Sequence, residues 1–113
     1  YTIQSQLILY KQNPFSSVET ISSLVPESFQ LEQNYPNPFN PTTNINFSLA
    51  KTSIVKLSVY DIQGKLIETI VNGQLTPGTY KAQWNGSGLS SGIYIYRLEA
   101  GNFGSSKRMM LVK

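Results

Sequence analysis

The sequence predicts an all-β domain, an antiparallel sandwich entered through a proline-bound lead-in. Three observations carry that prediction. Apolar and polar residues alternate with a period of two in successive short segments, the mark of half-buried strands. Gly, Pro and Asn cluster between those segments, where turns are needed. No segment sustains a 3.6-residue apolar period, so no helix beyond a turn is expected.

The chain has 113 residues, room for one domain and a tail. Residues 1–28 read as a linker or the end of an upstream domain. Ile3, Leu7 and Leu9 alternate with Gln4, Gln6, Ile8 and Tyr10, which makes 3–10 strand-like. Asn13-Pro14-Phe15 echoes Asn37-Pro38-Phe39, and an Ile follows each Phe by six residues, at Ile21 and Ile45. A single echo does not establish a repeat. Pro26 and Glu27 look like a joint, and residues 29–113 read as the domain. The chain opens at Tyr1 with no basic stretch followed by an apolar one, so any export signal is expected upstream.

The domain is organised around Asn34 to Leu49. Pro36, Pro38 and Pro41 fix three φ angles and remove three backbone donors, which excludes a helix and a central strand before about Thr42. Asn34, Asn37 and Asn40 lie between them, with amides suited to capping backbone. Tyr35 and Phe39 are two aromatics in an otherwise polar stretch, and both are expected to dock on the sandwich, Phe39 covering its end. From Thr42 the register changes, and Ile45, Phe47 and Leu49 alternate with Asn44, Asn46 and Ser48.

Ile54 to Tyr60 is the next strand, with Val55, Leu57 and Val59 inward and Lys56 and Ser58 outward. Asp61-Ile62-Gln63-Gly64 is a tight reversal, in which Gly64 suits positive φ and Asp61 accepts from nearby amides. Leu66 to Val71 follows. Asn72-Gly73 and Pro77-Gly78 are expected to turn the chain, the second as a type II turn. Tyr80, Ala82 and Trp84 share one face of a strand, and Asn85 to Gly92 reads as a loop. Tyr94, Tyr96 and Leu98 alternate with Ile93, Ile95, Arg97 and Glu99, a strand apolar on both sides near its start. Ala100-Gly101-Asn102 turns into a last strand with Met109 and Leu111 inward.

Composition narrows function. Charged residues are 13% of the chain, about half the usual share, so Ser, Thr, Asn and Gln must cover the surface, a composition commoner outside cells. The net charge of +3 is scattered, and Lys107-Arg108 is the one basic cluster, too sparse for a nucleic-acid footprint. There is no Cys, no His and a single Asp, Asp61. Ser–His–Asp and Cys–His chemistry and the usual zinc sites are therefore excluded. Glu32, Glu68 and Glu99 read as solvated positions, so no enzyme, no metal and no cofactor is expected. No apolar run reaches the length of a membrane-spanning helix.

Several segments resemble one family. These are Phe29 to Thr43, the Val59 to Gly64 turn, Pro77-Gly78-Thr79-Tyr80, Trp84-Asn85-Gly86, Ser91-Gly92-Ile93-Tyr94 and Lys107 to Lys113. In that order they resemble the type A C-terminal sorting domain of type IX secretion, itself similar to the immunoglobulin-like domain of flagellar hook-capping proteins. The resemblance implies a seven-stranded Ig-like or fibronectin-III-like sandwich acting as an address label. Its implied partners are an N-terminal cargo, an outer-membrane translocon and a sortase-like peptidase that cuts before Phe29. The peptidase attaches cargo to anionic lipopolysaccharide, or cargo is released into the medium. The implied location is secreted or cell surface, reached through the periplasm of a Gram-negative bacterium. Pro36, Asn37, Pro38, Phe39, Asp61, Gly64, Trp84, Gly92 and Tyr94 carry the structural motif.

Lys107, Arg108 and Lys113 are the candidates for partner contact; the plainer reading is an edge strand kept soluble by charge. A structural reading competes with the sorting signal. In it, the chain is an Ig-like subunit or inter-domain packing module of an extracellular assembly, with residues 1–26 self-associating as a strand added to a neighbour's sheet. A third reading, a carbohydrate-binding accessory module, leans on Trp84, Tyr94 and Tyr96, whose alternation fits a core better.

Overall fold

The computed structural model describes residues 17–113. Its elements are β1 (Ser17–Ser22), β2 (Gln30–Leu31), β3 (Thr42–Leu49), β4 (Ser53–Asp61), β5 (Leu66–Leu75), β6 (Gly78–Asn85), β7 (Gly92–Ala100) and β8 (Phe103–Leu111). Two four-stranded sheets form, in the orders β1-β6-β3-β2 and β5-β4-β7-β8, with every pairing antiparallel. The described residues thus hold eight strands where seven were expected. The strand-like stretch at 3–10 and the upstream Asn-Pro-Phe lie outside the described residues.

Alternation builds the core between the sheets. Ile45, Phe47, Leu49, Val55, Leu57, Val59, Tyr80, Ala82, Trp84, Tyr96, Leu98, Met109 and Leu111 are all buried. Phe47 and Tyr80 are cross-strand partners, and their rings stack at 5.4 Å. Ser58 departs from its expected place in solvent: it points outward but is buried in the row between Thr69 and Arg97.

The β4–β5 reversal follows its sequence. Gly64 has φ 87°, and Asp61 Oδ1 accepts from the N–H groups of Gln63 and Lys65, each at 2.9 Å. Asn72-Gly73, expected to turn, lies inside β5 opposite Lys56 and Val55. The residues on both sides of that dipeptide pair with β4, so the chain has no reason to reverse there. Two register shifts in the β4–β5 ladder let β5 follow its neighbour and bring both Ile70 and Val71 inward.

Pro77-Gly78 is not a type II turn either. Gly78 has φ 154°, far from the value near 80° such a turn requires, and the step carries the chain from one sheet to the other. Tyr80 Oη donates to the Thr76 carbonyl at 2.7 Å and fixes the crossing. Gly78 also makes room for β1, because a Cβ there would sit 2.7 Å from the Ser22 carbonyl oxygen.

The strand β1 lies N-terminal to the boundary expected at 28/29, yet it pairs with β6 of its own chain. Val18 is half-buried against the core, and Glu19 meets Lys81 at 3.0 Å. With one apolar residue facing in, such a strand carries little periodic signal.

Candidate recognition site

The C-terminal strand β8 is an edge strand, and edge strands leave alternate N–H and C=O groups unpaired. The Pro–Asn segment occupies part of that edge. Phe39 N–H donates to the Met110 carbonyl, and Val112 N–H donates to the Phe39 carbonyl, both at 2.9 Å. Asn37 Oδ1 accepts from Met110 N–H at 3.0 Å, and Gln33 Nε2 donates to the Arg108 carbonyl at 2.7 Å. Prolines suit this task, since a segment lying on an edge needs few donors of its own.

Side chains anchor the segment in the core. Phe39 is 1% exposed, with its ring centroid 5.9 Å from that of Trp84, which in turn meets Tyr94 at 6.3 Å. Asn34 is buried; its Nδ2 donates to Thr43 Oγ1 at 2.9 Å and to the Pro36 carbonyl at 3.1 Å. Tyr96 ties the segment to β7. Its hydroxyl accepts from Asn34 N–H at 2.8 Å and donates to the Glu32 carbonyl at 2.7 Å. Burial pushes the Tyr96 phenol up to about 12, against the Asn34 N–H, which favours the charged form.

The expected docking of Phe39 and the backbone bond of Asn37 are what the structure shows. Tyr35 is different: its backbone bridges Asn44, while the residue is 79% exposed. One aromatic suffices to fill the end of the sandwich, and Trp84 and Tyr94 already stand there. Pro36 and Pro38 are exposed on the segment, and Gly92 opens β7 opposite Leu111. Asp61 and Gly64 belong to the β4–β5 turn, apart from this site.

The three candidate cations do not form one patch. Lys107 and Arg108 are neighbours on β8 whose side chains leave opposite faces: Lys107 pairs with inward Tyr96, Arg108 with outward Ile95. Lys113 is held elsewhere, its N–H donating to Ser91 Oγ at 3.0 Å and its Nζ to the Ser87 carbonyl.

Three residues that matter here, Gln33, Asn34 and Glu68, were not among the candidates, and Tyr96, a candidate only for a carbohydrate platform, is buried and bonds backbone instead. Asn34 looks in sequence like Asn37 and Asn40, and only the fold separates them. Glu68 is half-buried rather than solvated, and its Oε1 accepts from Trp84 Nε1 at 2.9 Å. A buried indole needs such a partner, so Trp84 itself was the signal. Among the described residues no three of His, Cys, Asp and Glu come together as metal ligands.

Residues 33–113 match the family described as the secretion system C-terminal sorting domain. A solved structure is similar, from work on PorZ, an essential bacterial surface component of the type-IX secretion system of human oral-microbiomic Porphyromonas gingivalis. Its TM-score is 0.50 and its identity 17%, over 84% of this chain and 13% of that chain. At that identity the likeness is one of fold. No curated protein matches the chain.

Proposed function

The chain belongs to the secretion system C-terminal sorting domain family, and from that premise we propose that it is a non-catalytic label guiding an N-terminal cargo across the outer membrane. It is a sorting signal for type IX secretion, and it marks a secreted or cell-surface protein of a Bacteroidetes-type bacterium. The observation that carries the reading is the extent of the family match. It begins at Gln33, whose side chain holds Arg108, and runs through the docked segment and the sandwich to Lys113.

On this reading the label passes through the periplasm, an outer-membrane translocon recognises it, and a sortase-like peptidase separates it from cargo. Residues 29–113 are then the sorting domain and 1–28 the link. The exposure of Ser23, Leu24, Val25, Glu27 and Ser28 supports a cut in that connection. We also read β2 to β8 as a seven-stranded Ig-like sandwich of fibronectin-III kind, with β1 as an addition. What supports this is the order β6-β3-β2 facing β5-β4-β7-β8.

The test is a reporter fused ahead of the chain and expressed in a bacterium with type IX secretion. The full chain is expected to bring the reporter to the surface or medium, and removal of Lys107 to Lys113 to abolish this. A reporter retained despite the intact chain, or exported equally without those residues, overturns the reading.

A further inference from the structure

The two solvent-facing sides of the sandwich differ in chemistry. On the β1-β6-β3-β2 sheet the outward positions of the central strands are Asn44, Asn46, Ser48, Lys81 and Gln83. On the other sheet, the register aligns Leu66, Tyr60, Ile95 and Arg108 in one outward row across all four strands. Ile93 and Met110 form the next row. Leu66 is 49% and Met110 41% exposed, and Tyr60, Ile93 and Ile95 are half-buried. A period-two strand with one buried face should be polar on its other side. Here five apolar side chains share the outer face at one end of the sheet, beside the segment that holds β8.

Charge limits what can cover them. Among the described residues, Arg97 is paired with Glu99 at 3.1 Å on this face, whereas Arg108 belongs to neither ion pair. A second copy in a two-fold arrangement would offer Arg108 the same basic face, whose one outward carboxylate, Glu99, is already engaged. A lipid surface rewards protruding apolar groups with several cations around them. This patch is flat and half-sunk in a sheet, and Arg108 is the one cation within its two rows. Tyr, Met and Arg on a flat apolar surface are instead the composition of protein interface cores.

We propose that this end of the β5-β4-β7-β8 outer face docks on a protein of the secretion machinery, through an apolar surface carrying a carboxylate opposite Arg108. The proposal rests on the sorting-signal reading and adds the face and the chemistry of the partner.

The experiment uses the reporter fusion in three forms: Arg108→Glu, Ile93→Ser with Met110→Ser, and a control on the polar sheet, Asn44→Ser with Gln83→Ser. Export is measured beside the melting temperature of each purified chain. The control should export as the parent does, and both face variants should lose about tenfold or more, as expected for truncated interface anchors. Arg108 is exposed, so Arg108→Glu should melt as the parent does and separates docking from folding. A photo-crosslinker at Ile95 should capture another protein, and Arg108→Glu should abolish the adduct. Parental export of both face variants overturns this surface and leaves the sorting reading standing. An adduct with a second copy, or flotation of the purified chain with phosphatidylglycerol vesicles, overturns it in favour of those occupants. Retention of the parent fusion overturns both readings together.

Discussion

Two segments lie across sheet edges in this molecule, and they are attached in different ways. β1 joins β6 by a backbone ladder with one register shift between Thr20 and Ser22, with half-buried Val18 and a partly exposed Glu19–Lys81 pair. The Asn34–Pro41 segment makes only a few backbone bonds to β8, but it sends Phe39 and Asn34 into the core and is gripped by Tyr96. A backbone ladder can be formed with many partners, since it reads little sequence. A side chain buried in one cavity cannot be exchanged. β8 is therefore held as an integral part of the fold, whereas β1 is held as an accessory.

The largest test of that contrast is Phe39→Ala. Emptying a fully buried aromatic site costs about 3–5 kcal/mol, and the Trp84 and Tyr94 rings would lose their neighbour. Denaturant melts should show that loss; a change below about 1 kcal/mol would mean that Phe39 is not the anchor.

Tyr96→Phe comes next. It leaves the buried Asn34 N–H and the Glu32 carbonyl without their partner, worth about 1–3 kcal/mol. The same hydroxyl makes the grip sensitive to alkali. Its folded pKa of about 12 lies above the ordinary phenol value near 10. The neutral form is thus favoured by folding, and this stability is complete below about pH 10 and lost as pH rises toward 12. Comparing the melting of the two chains between those limits checks the assignment. The parent should lose more stability with rising pH than Tyr96→Phe; parallel curves would count against Tyr96 as the sensitive group.

Removing residues 1–22 should do less. Partial exposure of the Val18 contact and loss of a ladder amount to about 1–2 kcal/mol, and the remainder should keep a cooperative melt. An unfolded product would place β1 on the same footing as the Pro–Asn segment. Smallest of all is Glu19→Gln, where an exposed pair contributes about 0–1 kcal/mol and salt should erase the difference. A larger effect that high salt erases would show that the ion pair, not the ladder, seats β1.

The inward strand faces could be read directly from the sequence because burial on a strand repeats every second residue. Ile45, Phe47 and Leu49, or Tyr94, Tyr96 and Leu98, announce a core without reference to any partner strand. The Asp61–Gly64 turn was legible for a similar reason, since its chemistry is complete within five residues. Even the docking of Phe39 followed from local facts, an aromatic set among prolines that fix φ on either side of it.

What lay beyond the sequence was everything fixed by a partner distant in the chain. Whether Asn72-Gly73 turns or stays in a strand depends on β4, and whether Ser17–Ser22 is a tail or a strand depends on the open edge of β6. Asn34 and Asn40 are chemically identical, but Tyr96, sixty-two residues away, receives only Asn34. The apolar outer row of Tyr60, Ile95 and Leu66 exists only once register aligns three strands. Alternation assigns a residue to one of two faces; which residues stand beside it is settled by strand order and register, and those are decided by the packing of the whole sandwich.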